Sequence, residues 1–214
     1  MAEDNKQLIR FLQSENSRLQ EENRHLAEEI RENRRYMKAL LRVHSAVQQY
    51  TPEQDILELL DKTLDCALAL LDASDGSLML TDEENEELVF VLVHGAVREV
   101  LPGHRFSSRQ GVAGWVAENK QPVSIDNVYS DPRFWPALDE RFGFATRSLV
   151  AVPLIARGRT LGVLEALNKQ SGDSFTEEDV NLLAVLATIA ATAMDYAAST
   201  PIDLESDSQT KDPE

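Results

Sequence analysis

The sequence predicts an α+β protein in which a domain with antiparallel strands follows a long parallel coiled-coil helix. Three features lead to this prediction: an apolar hairpin at residues 147–169, a heptad repeat over residues 5–47, and an apolar helix at residues 180–197. The helix is apolar on nearly all sides, so we expect it to pack on the sheet and on a second helix.

The hairpin consists of two apolar runs, residues 148–155 and 160–167, joined by the short connection at 156–159. A tight turn containing glycine is typical of an antiparallel hairpin. Both runs are apolar at almost every position, which indicates central strands buried on both faces. Glu165 interrupts the second run, and a buried carboxylate requires either a partner, such as an arginine or a backbone N–H, or a ligand.

Residues 5–47 contain neither glycine nor proline and repeat apolar side chains every seven residues. The a positions are Ile9, Asn16, Asn23, Ile30, Met37 and His44, and the d positions are Leu12, Leu19, Leu26, Asn33, Leu40 and Val47. Leucine at most d positions predicts a coiled coil, and asparagine at a favours two parallel strands. We therefore expect a homodimer through residues 5–47. The alternative is a single amphipathic helix that packs against the domain.

The chain is expected to divide into a dimerisation helix at 1–50, a domain at 51–198 and a disordered acidic tail at 199–214. A capping box at 51–54 predicts the start of the first helix of the domain. Strands are predicted at 77–81, 88–94 and 123–125, a loop at 95–110 and a short helix at 111–117.

Residues 126–143 are predicted to be a long irregular stretch, with the aromatic residues Tyr129, Phe134, Trp135 and Phe142. Long loops inside compact domains are usually functional or disordered, and the aromatic content disfavours disorder. We expect this segment to form the lid of a pocket.

The composition excludes several classes of protein. The net charge of −16 argues against nucleic acid and against anionic membrane surfaces as partners. The single cysteine, Cys66, excludes an intramolecular disulfide and fits a reducing compartment. No uncharged apolar run reaches 18 residues and the N-terminus is polar, so we expect a cytoplasmic protein without a membrane span.

Several motifs in a fixed order resemble the GAF domain, most closely the group found in cyclic-nucleotide phosphodiesterases, bacterial adenylyl cyclases and sigma-54 activators. They are the sequences GVAGWV at 111–116, DN at 126–127, SDPRF at 130–134, TRSLVAVPL at 146–154, LGVLE at 161–165 and NK at 168–169. The resemblance covers residues 52–197. It implies a central antiparallel sheet with the terminal helices on one face and a ligand pocket on the other.

The resemblance also implies candidate site residues. Asn168, Lys169, Phe175 and Asp179 match the signature of nucleotide-binding members, which is largely structural, whereas Val180 replaces its final glutamate. The residues that match the ligand-pocket pattern are Ser77, Val112, Ala113, Asp139, Thr146 and Glu165. Trp135 stands where a tyrosine is common and could stack on a planar ring. His94 and Phe142 depart from the cyclic-nucleotide pattern, which has aspartate and threonine there.

Three functions are compatible with these residues. The first is a dimeric sensor of a small planar ligand, cAMP, cGMP or similar, that acts on a partner protein in trans because no output domain is recognised. The second is a ligand-free dimer that serves as an interaction scaffold. The third, an enzyme or chromoprotein, is disfavoured because GAF-type methionine sulfoxide reductases and bilin-binding relatives need cysteines that a chain with only Cys66 does not supply. No metal site or catalytic set is predicted.

Overall fold

The structure, a computed structural model, describes residues 2–48 and 56–199. The chain divides into two compact units, Met1–Leu41 and Arg42–Glu214. In chain order the elements are α1 (Ala2–Gln48), α2 (Ile56–Leu71), β1 (Ala73–Asp82), β2 (Glu87–His94), β3 (Arg105–Ser107), α3 (Gly111–Asn119), β4 (Val123–Ile125), a 3₁₀ turn (Val128–Ser130), α4 (Pro136–Phe142), β5 (Leu149–Ala156), β6 (Arg159–Lys169) and α5 (Glu177–Ser199).

The long helix α1 spans the heptad repeat without a break. The apolar a and d side chains that the structure describes are exposed in the single chain, from 47% at Leu26 to 59% at Met37. A stripe of exposed apolar side chains on one helix is the pattern from which the coiled coil is predicted. The helix itself is confirmed, and its association with a second copy stays a prediction.

The six strands found within the described residues form one antiparallel sheet in the order β3-β2-β1-β6-β5-β4. The predicted hairpin is confirmed as β5 and β6, whose two-residue turn has positive φ at Arg157 (48°) and Gly158 (78°). Positive φ at both central residues is the geometry of a type I′ turn, which matches the twist of paired strands. The hairpin strand β6 lies between β5 and β1 at the centre of the sheet.

The two faces of the sheet are covered by different elements. Helices α2 and α5 pack against each other and against one face, and a Cβ on Gly76 of β1 would meet Leu68 of α2 at 2.6 Å. The opposite face is covered by α3 and by the segment that contains α4, through a separate apolar cluster that includes Met79, Val116 and Val163. The layout predicted from the resemblance, with the terminal helices on one face, is therefore confirmed.

Two predictions about the loops are corrected. The segment 126–143 is not irregular, because it contains the 3₁₀ turn and α4, which begins at Pro136 and ends before Gly143 in the left-handed conformation. The loop expected at 95–110 contains the edge strand β3. Both elements are too short for a hydrophobic period to develop, so the sequence pattern did not reveal them.

Some predictions lie outside the described residues. They are the capping box at 51–54 and most of the acidic tail, residues 200–214. At the other end of the domain, the Thr176 and Asp179 cap of α5 is present: Thr176 N donates to Asp179 Oδ2 at 2.9 Å, and Asp179 N donates to Thr176 Oγ1 at 3.3 Å.

Helix α5 is long and apolar enough, by length and composition alone, to cross a membrane. It packs against β5 and α2, and leucine and alanine side chains such as Leu183, Leu186 and Ala190 are fully buried there. The core helix of a globular domain has the same composition. The apolar character of α5 is therefore explained by its place between the sheet and α2.

Three residues of the nucleotide-type signature, Lys169, Phe175 and Asp179, pack together at the start of α5. Lys169, at the end of β6, forms an ion pair with Asp179 at 2.5 Å, and its side chain lies 5.5 Å from the Phe175 ring centroid. Both charged side chains are largely buried, with 14% of Lys169 and 5% of Asp179 exposed. The pair therefore fixes the start of α5 on the end of the central strand.

Removing one partner of this pair should destabilise the domain strongly. Lys169→Met leaves Asp179 buried and unpaired, and such losses cost about 3 kcal/mol or more. The matched control is Arg159→Met at the other end of β6, which loses an exposed pair with Glu83 and should change stability little. Urea unfolding followed by circular dichroism measures both, and equal losses would contradict a structural role for the Lys169–Asp179 pair.

Candidate functional site

A cavity lies between the sheet and the elements that cover its second face. Its open space is about 90 Å³. Strands β1, β2 and β6 provide the floor, and α3, α4 and the residues that follow α4 provide the cover. The walls are mainly apolar and carry a small number of polar groups, which is the usual composition of a small-ligand site.

All nine residues predicted for the site line this one cavity. They are Ser77, His94, Val112, Ala113, Trp135, Asp139, Phe142, Thr146 and Glu165. They come from six separate stretches of the chain, and the fold of the sheet and its cover brings them together. Their contact with a ligand stays a prediction.

Two of the polar residues bind each other. Asp139 Oδ2 accepts a hydrogen bond from Thr146 N at 2.7 Å, and Asp139 Oδ1 accepts one from Thr146 Oγ1 at 3.0 Å. Both side chains are buried. Because each carboxylate oxygen has a donor, this pair mainly holds α4 against the strand that follows it.

Glu165 is the carboxylate of the cavity with the fewest hydrogen-bond donors among the described residues. It lies in the middle of β6, opposite Ser77 of β1 and Ala151 of β5, and only 8% of it is exposed. Ser77 Oγ donates to Glu165 Oε2 at 3.3 Å. Burial raises the pKa of the Glu165 carboxyl to about 7, the Ser77 hydrogen bond opposes this shift, and the charge of Asp139 adds to it.

His94 connects the cavity to the opposite face of the sheet. It ends β2 and borders the cavity, and its Nε2 lies 2.7 Å from Asp61 Oδ1 on α2. Asp65, one turn further along α2, lies 3.9 Å from His94 Nδ1. A change at the cavity end of β2 therefore has a direct route to α2.

Aromatic side chains form another part of the cavity lining. Trp135 lies directly before α4, and its ring centroid is 5.9 Å from that of Phe106 on β3. Phe142, at the end of α4, packs edge-on against His104 at 5.1 Å. Burial lowers the pKa of His104, and the nearby Arg141 lowers it further. The rings at the two ends of α4 therefore pack on β3 and on the loop that precedes it.

The first turn of α3 also borders the cavity through Gly111, Val112 and Ala113. Gly111 has a φ of +75°, and a Cβ added there would lie 3.8 Å from Trp135 Cβ. No side chain caps this helix at Gln110. The first N–H groups of a helix have no partner within it, so this turn offers donors to a bound group.

Several lining residues were not predicted from the sequence. Asp75 and Met79 flank Ser77 at alternate positions of β1, and Phe90 lies on β2. The period-two alternation of a strand would have placed Asp75 and Met79 on the same face as Ser77. Phe106 had no such signal, because β3 was expected to be a loop.

The cavity is acidic. Asp75, Asp139 and Glu165 line it, and none of its lining residues within the described chain is lysine or arginine. Asp75 is satisfied locally: Ala96 N donates to it at 2.9 Å and Ser74 Oγ at 2.5 Å. The carboxyl group of Glu165 is thus the one whose hydrogen-bonding capacity is least used.

The fold and the cavity together define the class of domain: a six-stranded antiparallel sheet covered on both faces, with a cavity between the sheet and the elements on its second face. The chain belongs to the GAF domain family, whose family model matches residues 55–194. This agrees with the resemblance stated from the motifs.

Two curated relatives are phosphodiesterases. The chain is 30% identical over 145 residues to a probable 3′,5′-cyclic phosphodiesterase, pde-5, of Caenorhabditis elegans, covering 64% of this chain and 20% of the relative. It is 32% identical over 148 residues to the dual 3′,5′-cyclic-AMP and -GMP phosphodiesterase 11A of Takifugu rubripes, covering 64% and 16%. The chain thus spans about a fifth or less of these relatives.

Among solved structures, the GAF domain of a phosphoenolpyruvate-protein phosphotransferase (ptsP) from Coxiella burnetii superposes with a TM-score of 0.69. The two are 20% identical, and the match covers 77% of this chain and 95% of that one. At this identity the similarity shows the fold alone.

Glu165→Gln should stabilise the domain above neutral pH. The pKa of Glu165 is raised in the folded state, so the folded state holds more protons than the unfolded state between pH 4.5 and about 7. The free energy of unfolding therefore falls as pH rises through this range, by about 3 kcal/mol in total. Glutamine at position 165 does not ionise, so the variant does not lose this part of the free energy of unfolding as the pH rises.

The measurement is the thermal midpoint of wild type and variant at pH 5 and pH 8. The advantage of Glu165→Gln should be larger at pH 8, whereas the exposed control Glu118→Gln should show no such dependence. A variant that is less stable than wild type at pH 8 would show that the Glu165 charge is satisfied in the folded protein.

Proposed function

We propose that this protein is a non-enzymatic signalling protein, a homodimer whose GAF domain binds a small planar ligand and which acts on a partner protein in trans. The observation that carries the proposal is the cavity, which is lined both by aromatic side chains such as Trp135 and by the buried carboxyl group of Glu165. Aromatic surface with a few placed polar groups is what a small planar ligand requires.

The phosphodiesterase relatives make cAMP and cGMP the first ligands to test. The first turn of α3 supports this choice, because its N–H groups can donate hydrogen bonds to a phosphate. The open space of about 90 Å³ is smaller than the roughly 300 Å³ or more of a typical ligand pocket. A nucleotide would therefore have to displace α4 outward, and Gly143, at a φ of 64°, gives that short helix a hinge.

One observation favours the scaffold alternative. Trp135 packs on Phe106, and Phe142 packs on His104, so the rings of α4 already occupy part of the space between the sheet and its cover. A cavity filled by its own side chains needs no ligand. The alternative predicts that no small molecule changes the stability of the domain.

The exposed stripe on α1 supports the homodimer. Ile9, Leu12 and Leu19 are each about half exposed in the single chain, and water contact with such side chains is unfavourable. A second parallel copy would bury them, and Asn16 and Asn23 at a positions would fix the register.

Signalling requires that the ligand favour one of two arrangements of the protein, since tight binding alone shifts no equilibrium. The contact between His94 and Asp61 provides the route in this proposal. A ligand that moves His94 changes a charged contact on α2, the helix that packs with α5 on the other face of the sheet.

Charges placed in the predicted seam should separate the dimer. We expect full-length protein to be a dimer by light scattering at micromolar concentration, and Leu19→Glu with Leu26→Glu to be a monomer because like charges would meet in an apolar seam. The matched control is Ser14→Glu with Ser17→Glu, which adds the same charge outside the seam. A monomeric wild type, or dissociation by the control, would refute the coiled coil.

A real ligand should raise the thermal midpoint in a way that depends on Trp135. The experiment screens cAMP, cGMP and related purines by thermal shift, together with native mass spectrometry of freshly purified protein for a co-purified molecule. Trp135→Ala should abolish the shift. Trp115→Ala, which removes the same ring outside the cavity, should keep it. If no compound binds and none co-purifies, the scaffold alternative replaces the sensor.

A further inference from the structure

No lysine or arginine of the described residues lines the cavity beside the buried carboxyl group of Glu165. Ser77 Oγ at 3.3 Å is the one hydrogen-bond donor to this carboxyl group among the described residues. Glu165 lies on a strand paired on both sides, so its backbone cannot move toward solvent. A carboxylate held in this way requires a proton or a positively charged partner.

The other two carboxylates do not compete for such a partner. Asp75 and Asp139 each accept two or more hydrogen bonds from neighbouring groups, which fix their orientation. No group of three or more His, Cys, Asp or Glu side chains among the described residues could hold a metal ion. Both carboxylates nevertheless add negative potential to the cavity, so they favour an organic cation over an anion.

The aromatic side chains that line the cavity also favour a cation over an anion. Trp135, Phe142 and Phe106 present ring surfaces to the cavity, and the face of an aromatic ring attracts a cation. In contrast, a phosphate would be repelled by three carboxylates, and the first turn of α3 would be its one favourable neighbour among the lining residues.

The size of the cavity limits the occupant. One water requires roughly 10–15 Å³ of such space, so an open volume of about 90 Å³ accepts roughly six to nine non-hydrogen atoms. This corresponds to a single ring with one small substituent. A planar amidinium group could also form two parallel hydrogen bonds to one carboxylate, as arginine does.

Resting on the ligand-binding function proposed above, we propose that the cavity takes a small organic cation: a flat ring with an amidinium or protonated amino group that binds Glu165, with the ring against Trp135. Binding keeps Glu165 ionised. Because the free carboxyl titrates near pH 7, the affinity for the cation increases from pH 6 to pH 8 by about tenfold.

The test uses three probes of matched size and shape with different charge: benzamidine, which is cationic, benzamide, which is neutral, and benzoate, which is anionic. Isothermal titration calorimetry and ligand-observed NMR with the full-length chain should show binding of benzamidine, at least tenfold weaker binding of benzamide and no binding of benzoate. Glu165→Gln should weaken benzamidine at least tenfold and remove its pH dependence, and Glu118→Gln should change neither.

The outcomes separate this inference from the proposed function. If cAMP or cGMP binds and benzamidine does not, the cavity is a sensor site but not a cation site, and the inference is overturned. Equal binding of benzamidine by wild type and Glu165→Gln also overturns it. If no probe and no nucleotide binds, and no molecule co-purifies, both the inference and the sensor function fail. Because Glu165→Gln is expected to fold at least as stably as wild type, a folding defect would not explain lost binding.

Discussion

The pairing of β6 with β1 on one side and β5 on the other is the constraint on which the site depends. This pairing places Glu165 opposite Ser77 and Ala151 at the centre of the sheet, with its side chain on the face away from α2 and α5. A two-residue turn begins the hairpin, and its register shifts by one residue between Leu154 and Ile155 before the strands reach Glu165. A further slip by one residue would move Glu165 to the helix-packed face. The turn and this irregularity together determine that a carboxyl group lies in the cavity.

Asn168, at the end of β6, connects this central strand to the segment that covers the cavity. Its backbone is left-handed, with a φ of 57°, and its side chain accepts a hydrogen bond from Arg147 N at 2.8 Å and donates one to the carbonyl oxygen of Ala145 at 3.1 Å. The residue between them is Thr146, which holds Asp139 of α4. Asn168 therefore affects the cavity by fixing the backbone at residues 145–147. This agrees with the structural role that the resemblance implies for the signature.

The parts of the fold that could be predicted from sequence are those with a long period or a strong turn. The heptads of α1, the β5–β6 hairpin and the apolar α5 are of this kind, and each lies within a few residues of its predicted position. Strand β3 and helix α4 are too short for a period to identify them, although Pro136 and Gly143 mark the two ends of α4.

Some features of the site could be predicted from the local sequence, whereas others depend on the folded structure. The nine candidate residues came from motif resemblance, and the fold brings all of them to one cavity. The sequence could not show that Thr146 and Asp139 bind each other, because that contact depends on how α4 meets the chain after it. That no lysine or arginine among the described residues lines the cavity at Glu165 also depends on the packed structure, since arginine is frequent elsewhere in the chain.

The two edges of the sheet have a consequence for how the domain behaves in a crowded solution. Strands β3 and β4 are three residues long, so each of these edge strands presents few unpaired backbone groups to another chain. Short edge strands protect a protein from joining sheets into fibres. The central strands β1 and β6, which are apolar enough to aggregate if exposed, are paired on both sides, so neither offers an open edge to another chain.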